Sequence, residues 1–322
     1  MVNLIAFNDF WLDCYTTLLY TLLLSIDVVD KAYIYNNQYC YSLIEEVVPM
    51  TGKNFISVCA ENDNSQIEDK ILINRQCISM DSFDSPIEVL KKILSKQKFV
   101  MLGVDLYYWI EENIHYNRNH IEHYSLVKMY DETKDELVFF ETGLDGYQEY
   151  KLPSEQVIKA IRSFSDATLI YDINYNVGDI MYTKKDIYTN AKNIISSIEY
   201  ILKDKDIILC VKDMAECELK YVSDILQTHI FNMENRQKVN RHLFMIGFNS
   251  PIIDGFDYCN QFEELETKFR ALKSKCLRNT MRKRYRQNII EIKPQILELL
   301  NEERKIWAQF IKHYKSLRLF GK

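Results

Sequence analysis

The sequence predicts an α+β protein with an appended C-terminal helical domain. Three observations carry that prediction. Up to about residue 175, short apolar runs of strand length alternate with turn-like polar clusters, whereas from about residue 180 nearly every stretch has helical spacing. With only 8 Gly and 5 Pro in 322 residues, no long flexible linker is expected in either half. The expected division is a mixed domain over 1–175 and a helical bundle over 180–322.

The first element is a helix. From Trp11 the apolar positions run Trp11, Cys14, Tyr15, Leu18, Leu19, Leu22, Leu23, Ile26, the stripe of a helix buried along one face. Asn8, Asp9 and Asp13 offer caps before it. Strands are expected in "FISVCA" (55–60), "FVMLGVDLYYW" (99–109), "HYSLVKMYD" (123–131), "ELVFFET" (136–142) and "ATLIYDI" (167–173). Between them, "SPIEVLKKILSKQ" (85–97) and "PSEQVIKAIRSF" (153–164) begin with Pro and an acid in the first turn, as helices do. The second half reads as helices over Lys184–Lys203, Ala215–Phe231, Asn235–Ile246, Gln261–Ile290 and Pro294–Leu317.

Composition narrows the function classes. With 47% hydrophobic and 27% charged residues the chain reads as soluble and globular, and a net charge of -6 makes no case for nucleic acid as a general partner. No N-terminal stretch joins a basic start, an apolar run and a small-residue cleavage site, and the run Leu18–Ile26 is too short to span a bilayer. A cytoplasmic location without membrane association is expected. The eight cysteines (14, 40, 59, 77, 210, 217, 259, 276) show no C-x-x-C spacing, which disfavours a disulfide framework and a zinc ribbon.

Cys14 stands out by position. In the first turn of a helix, unpaired backbone N–H groups and the positive end of the dipole favour a thiolate. The competing reading is a core thiol belonging to the apolar stripe. The run "HYNRNHIEHYSLVKMYDETKDELVFFETG" (115–143) supplies partners for a nucleophile. Two strands joined by a polar turn form a hairpin, with His123, Ser125, Val127 and Met129 on one face of the first strand and Leu137, Phe139 and Glu141 on one face of the second. If paired residue numbers have an even total, His123 lies opposite or diagonal to Glu141; a one-residue slip separates them. His115, His120 and His123 also have the form H-x4-H-x2-H, a weak metal pattern without a fixed fourth ligand, so no metal is assigned.

Cys at a helix start, then His on a strand, then an acid on the next strand is the papain-like order. "DCYTTLLYTLL" followed by "GVDLYYWIEENIHYNRNHIEHYSLVKMYD" resembles the N-terminal domain of the butirosin-biosynthesis H-protein family, over roughly residues 5–175. The resemblance implies a papain-like cysteine-protease fold and a papain-like acyltransferase of natural-product assembly. Such enzymes pass an acyl group from the phosphopantetheine thioester of an acyl or peptidyl carrier protein to a small-molecule amine, with no cofactor of their own. The amide-forming transferases of closthioamide-type polythioamide assembly look like similar enzymes. Carried over, Cys14 matches the nucleophile and His123 the general base. Glu141 falls where related proteins have Asp, one methylene shorter. Asn8, six residues before Cys14, stands where papain-like enzymes place the Gln of the oxyanion hole.

In the helical half, "KFRALKSKCLRNTMRKRYR" (Lys268–Arg286) holds nine basic residues and no acid. It suits docking of an acidic carrier protein, or equally a solvated face pairing with "EELE" (263–266) and other acids. The alternatives to amide-forming transfer are a cysteine peptidase or amidase of the same fold, and a non-catalytic binding protein.

Overall fold

The computed structural model describes residues 4–11, 14–26, 34–35, 39–45, 54–60, 69–143, 146–176, 184–203, 214–247 and 258–320. In chain order the first elements are α1 (Cys14–Ser25), β1 (Tyr39–Glu45), β2 (Asn54–Ala60), β3 (Leu72–Ile78), α2 (Pro86–Leu94) and β4 (Phe99–Asp105). A 3-10 turn at Leu106–Tyr108 leads toward β5 (Glu122–Asp131), β6 (Glu136–Gly143), β7 (Gly146–Pro153), α3 (Ser154–Arg162) and β8 (Thr168–Ile173). The helices α4 (Lys184–Lys203), α5 (Glu216–Gly247), α6 (Tyr258–Met281) and α7 (Tyr285–Phe320) complete it. The protein is therefore mixed α+β with a C-terminal helical region.

Contacts divide the chain into two units, one of Met1–Asp30 with Asn64–Ile180 and one of Lys31–Asp63 with Met181–Lys322. This differs from a single cut between 175 and 180, because the β1–β2 hairpin belongs with the helices.

The first unit is built on a six-stranded sheet, order β3-β8-β4-β5-β6-β7, with every pairing antiparallel. β4 is buried along its whole length, as a continuous apolar run near the sheet centre requires, while the edge strands β3 and β7 carry exposed polar side chains. α2 and α3 lay Ile87, Leu90, Val157 and Ile161 over Val100, Leu102, Val127 and Phe139 of the sheet. Burying that much apolar side chain, at roughly 25 cal/mol per Å², is what holds the strands carrying the site in place.

α1 departs from the one-faced stripe. Thr16, Thr17, Tyr20 and Thr21 are buried together with Leu18, Leu19, Leu22 and Leu23, so the helix is enclosed on all sides. The segment before it runs alongside: Ile5 N–H donates to Ser25 Oγ (3.0 Å) and Phe7 N–H to Thr21 Oγ1 (3.1 Å). Two residues of extended chain rise about as far as four helical residues, ~6–7 Å, so the register is self-consistent.

In the second unit, Tyr39 and Tyr41 alternate onto one side of β1, and both hydroxyls donate to the buried Glu303 of α7. Gln237 Nε2 of α5 donates to the same carboxylate at 2.8 Å, and Asn240 Nδ2 donates to the Tyr39 hydroxyl at 3.0 Å. A buried carboxylate needs such donors, and here two come from the hairpin, which ties residues 39–45 to the helices.

The helix boundaries also differ from the sequence reading. The stretches 215–231 and 235–246 form one helix, α5, through buried Met233 and Gln237. The expected helix 261–290 breaks after Met281, where Lys283 takes φ 55° and Arg284 N–H reaches back to Asn279 O at 2.9 Å, a left-handed C-terminal cap. Pro294 does not start a helix but lies inside α7. It removes one backbone bond, yet fully buried Ile289, Ile292 and Ile296 hold the turn on either side.

Candidate active site

Cys14 is the first residue of α1 and, like Tyr15, is only half-buried, whereas Thr16 to Leu23 are buried. It is not part of the apolar core. Asp13, offered above as a cap, lies outside the described residues.

His123 lies on β5, directly across from Val104 of β4. Its Nε2 stands 3.1 Å from Glu141 Oε1, and Cys14 lies close enough to the same ring to help raise its pKa. Cys14, His123 and Glu141 thus form one chain of contacts.

A β-bulge makes this possible. Near the turn, Asp131 pairs with Glu136 and Met129 with Val138, an odd total that would set Leu126 against Glu141 and turn Glu141 away from His123. Between Val127 and Met129 the register shifts, and beyond it Val127 pairs with Phe139 and Leu126 with Phe140. One further step sets Ser125 against Glu141, and Ser125 Oγ does donate to Glu141 Oε2. The even total expected from the sequence holds only past the bulge. Met129 accordingly does not share the face of His123, Ser125 and Val127.

Glu141 is 1% exposed, and its carboxylate gathers donors: Ser125 Oγ and His123 from the sheet, and the Thr142 N–H at 2.7 Å. Burial alone would push the His123 imidazole down, but the Glu141 charge and the side-chain hydrogen bonds that the ring donates towards Cys14 and Glu141 outweigh it and raise the ring to about 10. The site therefore favours an imidazolium held between a thiol sulfur and a buried carboxylate.

Asn8 is fixed by the main chain of β7. Its Nδ2 donates to Tyr147 O at 2.6 Å, and Tyr147 N–H donates to its Oδ1 at 3.1 Å. One of the two amide hydrogens is thereby engaged and the plane of the amide is set. Gly146, at φ 104°, takes a left-handed conformation beside it. Tyr147 was not singled out in the sequence, where it is one of 22 tyrosines. Its buried phenol is pushed well above the usual tyrosine range, by burial first, then by the Glu141 charge, with a smaller contribution from Cys14.

The other two histidines take separate partners. His120 Nδ1 donates to buried Asp105 Oδ2 (2.6 Å) and its ring stacks on Tyr107, while Asp105 Oδ1 caps the 3-10 turn through Tyr107 N–H. His115 contacts Asn119. Among the described residues no group of three or more His, Cys, Asp or Glu is placed to hold a metal ion.

The basic stretch divides in two. Lys268 pairs with Glu302 and Glu264, Arg270 with Glu234 and Glu266, Lys273 with Glu234, and Lys275 with Glu291. Arg278, Arg282, Lys283 and Arg284 are exposed and make no ion pair among the described residues. No described helix is long and apolar enough to cross a membrane.

Comparison with known proteins adds no assignment: no family model matches the chain, and no curated protein matches it.

Proposed function

We propose that the protein is a cysteine-dependent acyltransferase with a papain-like catalytic arrangement, forming an amide from a carrier-protein thioester and an amine. The observation that carries this reading is the contact chain Cys14–His123–Glu141, with a half-buried thiol at a helix N-terminus.

In the first step the Cys14 thiolate attacks the thioester carbonyl carbon, and the pantetheine thiol leaves with a proton from His123. In the second, an amine attacks the acyl carbon of acyl-Cys14 and gives its proton to His123. Collapse restores the Cys14 thiolate and the His123 imidazolium. Glu141 holds the ring so that one nitrogen always faces the sulfur. The Cys14 backbone N–H and the remaining Asn8 amide hydrogen serve the tetrahedral oxyanion, each donor worth about 3–4 kcal/mol in comparable sites.

The carrier protein docks on the turn between α6 and α7. There Arg278, Arg282, Lys283 and Arg284 stand with exposed Leu277, Ile290 and Met281, the last 75% exposed. Cations mixed with apolar side chains suit an acidic partner that needs both steering and a dry contact.

The test is incubation with an S-acyl pantetheine, with and without a primary amine, followed by intact-protein and product mass spectrometry. The reading predicts an acyl adduct on Cys14 that the amine discharges as an amide, and none on Cys14→Ala. Discharge to free acid at the same rate with or without amine makes the protein a hydrolase, and absence of any adduct removes the enzyme reading.

A further inference from the structure

The first unit holds a cavity of about 250 Å³ that neither Cys14, His123 nor Glu141 lines. Leu22 of α1 and Val127 of β5 are among its walls. Leu22 is eight residues along the helix from Cys14, and Val127 four along the strand from His123. Both paths place the cavity roughly 12–13 Å from the catalytic pair.

Its wall is apolar, with Leu22, Phe99 and Met129 among the lining, and its rim is cationic. Lys91 comes from the end of α2, Lys98 from the start of β4 and Lys128 from the bulge itself, against one acid, Glu132. Val127, Lys128, Met129 and Tyr130 all line the space, so the cavity lies where β5 is bulged. The lysines' present partners are surface acids: Glu88 for Lys91, Asp172 for Lys98 and Glu149 for Lys128. None of the three lines the cavity. Surface pairs of this kind contribute about 0–1 kcal/mol, so a carboxylate anchored by its own buried tail can displace them. A wet, neutral crevice does not call for three ammonium groups from three elements.

From this we infer that the cavity at the β5 bulge is a binding site for a small amphipathic carboxylate, an aliphatic body against Leu22, Phe99 and Met129 with its carboxylate among Lys91, Lys98 and Lys128. It is separate from the Cys14 site and independent of the transferase reading.

The test titrates the full chain with octanoate, octan-1-ol and acetate by calorimetry, while methyl NMR follows Met129. Octanoate should saturate one site, shift the Met129 methyl, and bind about tenfold or more tighter than either control. Lys128→Met and Lys91→Met, which keep the half-buried apolar stem and remove the charge, should each weaken octanoate by about tenfold without unfolding the free protein. Equal binding of octanol, indifference to both lysine changes, or loss of binding in Cys14→Ala would each overturn the inference, the last by moving the ligand to the catalytic cleft.

Discussion

His123 and Glu141 meet diagonally. Their side chains close to 3.1 Å, yet the residue set across from Glu141 by the register is Ser125, two positions along the strand. Diagonal neighbours on paired strands lie about 7–8 Å apart at Cα, and the extra methylene of Glu helps to span that gap. The departure from Asp is thus matched to this register. Glu141→Asp should slow alkylation of Cys14 by iodoacetamide at least about tenfold, no less than Glu141→Gln does. An Asp variant as reactive as the parent would show that the arm length does not matter.

The bulge is the next point of attack. Deleting Lys128 removes the extra residue and closes a regular ladder that keeps Val127 against Phe139 and Ser125 against Glu141, so His123 and Glu141 stay on one face; deleting Leu126 instead sets Tyr124 against Glu141 and turns His123 away. Cys14 should therefore keep its lead in the Lys128 deletion, and alkylate no faster than the exposed Cys77 and Cys217 in the Leu126 deletion. Circular dichroism of both variants checks that the sheet persists.

The charge on His123 gives a pH signature. Its folded value is raised from 6.5 to about 10. A raised value means that the ion pair's stabilisation is full below about pH 6.5 and is lost as pH rises through about 10. The stability gap between the parent and His123→Gln, read by urea unfolding, should therefore be a few kcal/mol at pH 6 and shrink steadily towards pH 10. A gap that widens with pH contradicts the assignment.

Glu303 works in a lower window. Burial pushes its carboxyl up to about 7 against the opposing hydrogen bonds from Tyr39, Tyr41 and Gln237. The helical unit therefore loses stability between about pH 4.5 and 7, by an amount of order 3 kcal/mol. Glu303→Gln should flatten the melting temperature across that range, and an unchanged slope would place the titration elsewhere.

The sequence made the site legible where periodicity and order sufficed. Cys14 at the head of a helix, and His123 and Glu141 on a hairpin, could be read from spacing alone. The route to their meeting could not, because a bulge at Lys128 leaves no mark in an alternating pattern that already mixes Lys128, Met129 and Tyr130. β7 escapes a sequence reading because "GYQEYKLP" is an edge strand with little apolar content, and β3, "LINRQCI", because Asn74, Arg75 and Gln76 interrupt its apolar residues. The hairpin's place in the helical unit rests on two tyrosine hydroxyls finding Glu303 across more than 260 residues of chain, which no local pattern carries. Pro294 misled because its helix-breaking tendency is overridden by the packing of Ile289, Ile292 and Ile296.

The most direct test of the central claim is substoichiometric iodoacetamide labelling of the native protein, mapped over its eight cysteines by mass spectrometry, with His123→Ala alongside. The account predicts that Cys14 takes most of the label in the parent, ahead of the more exposed Cys77 and Cys217, and loses that lead in the variant. If Cys14 labels only after unfolding, or keeps its lead without His123, the thiol is not activated by the imidazole and the catalytic account fails.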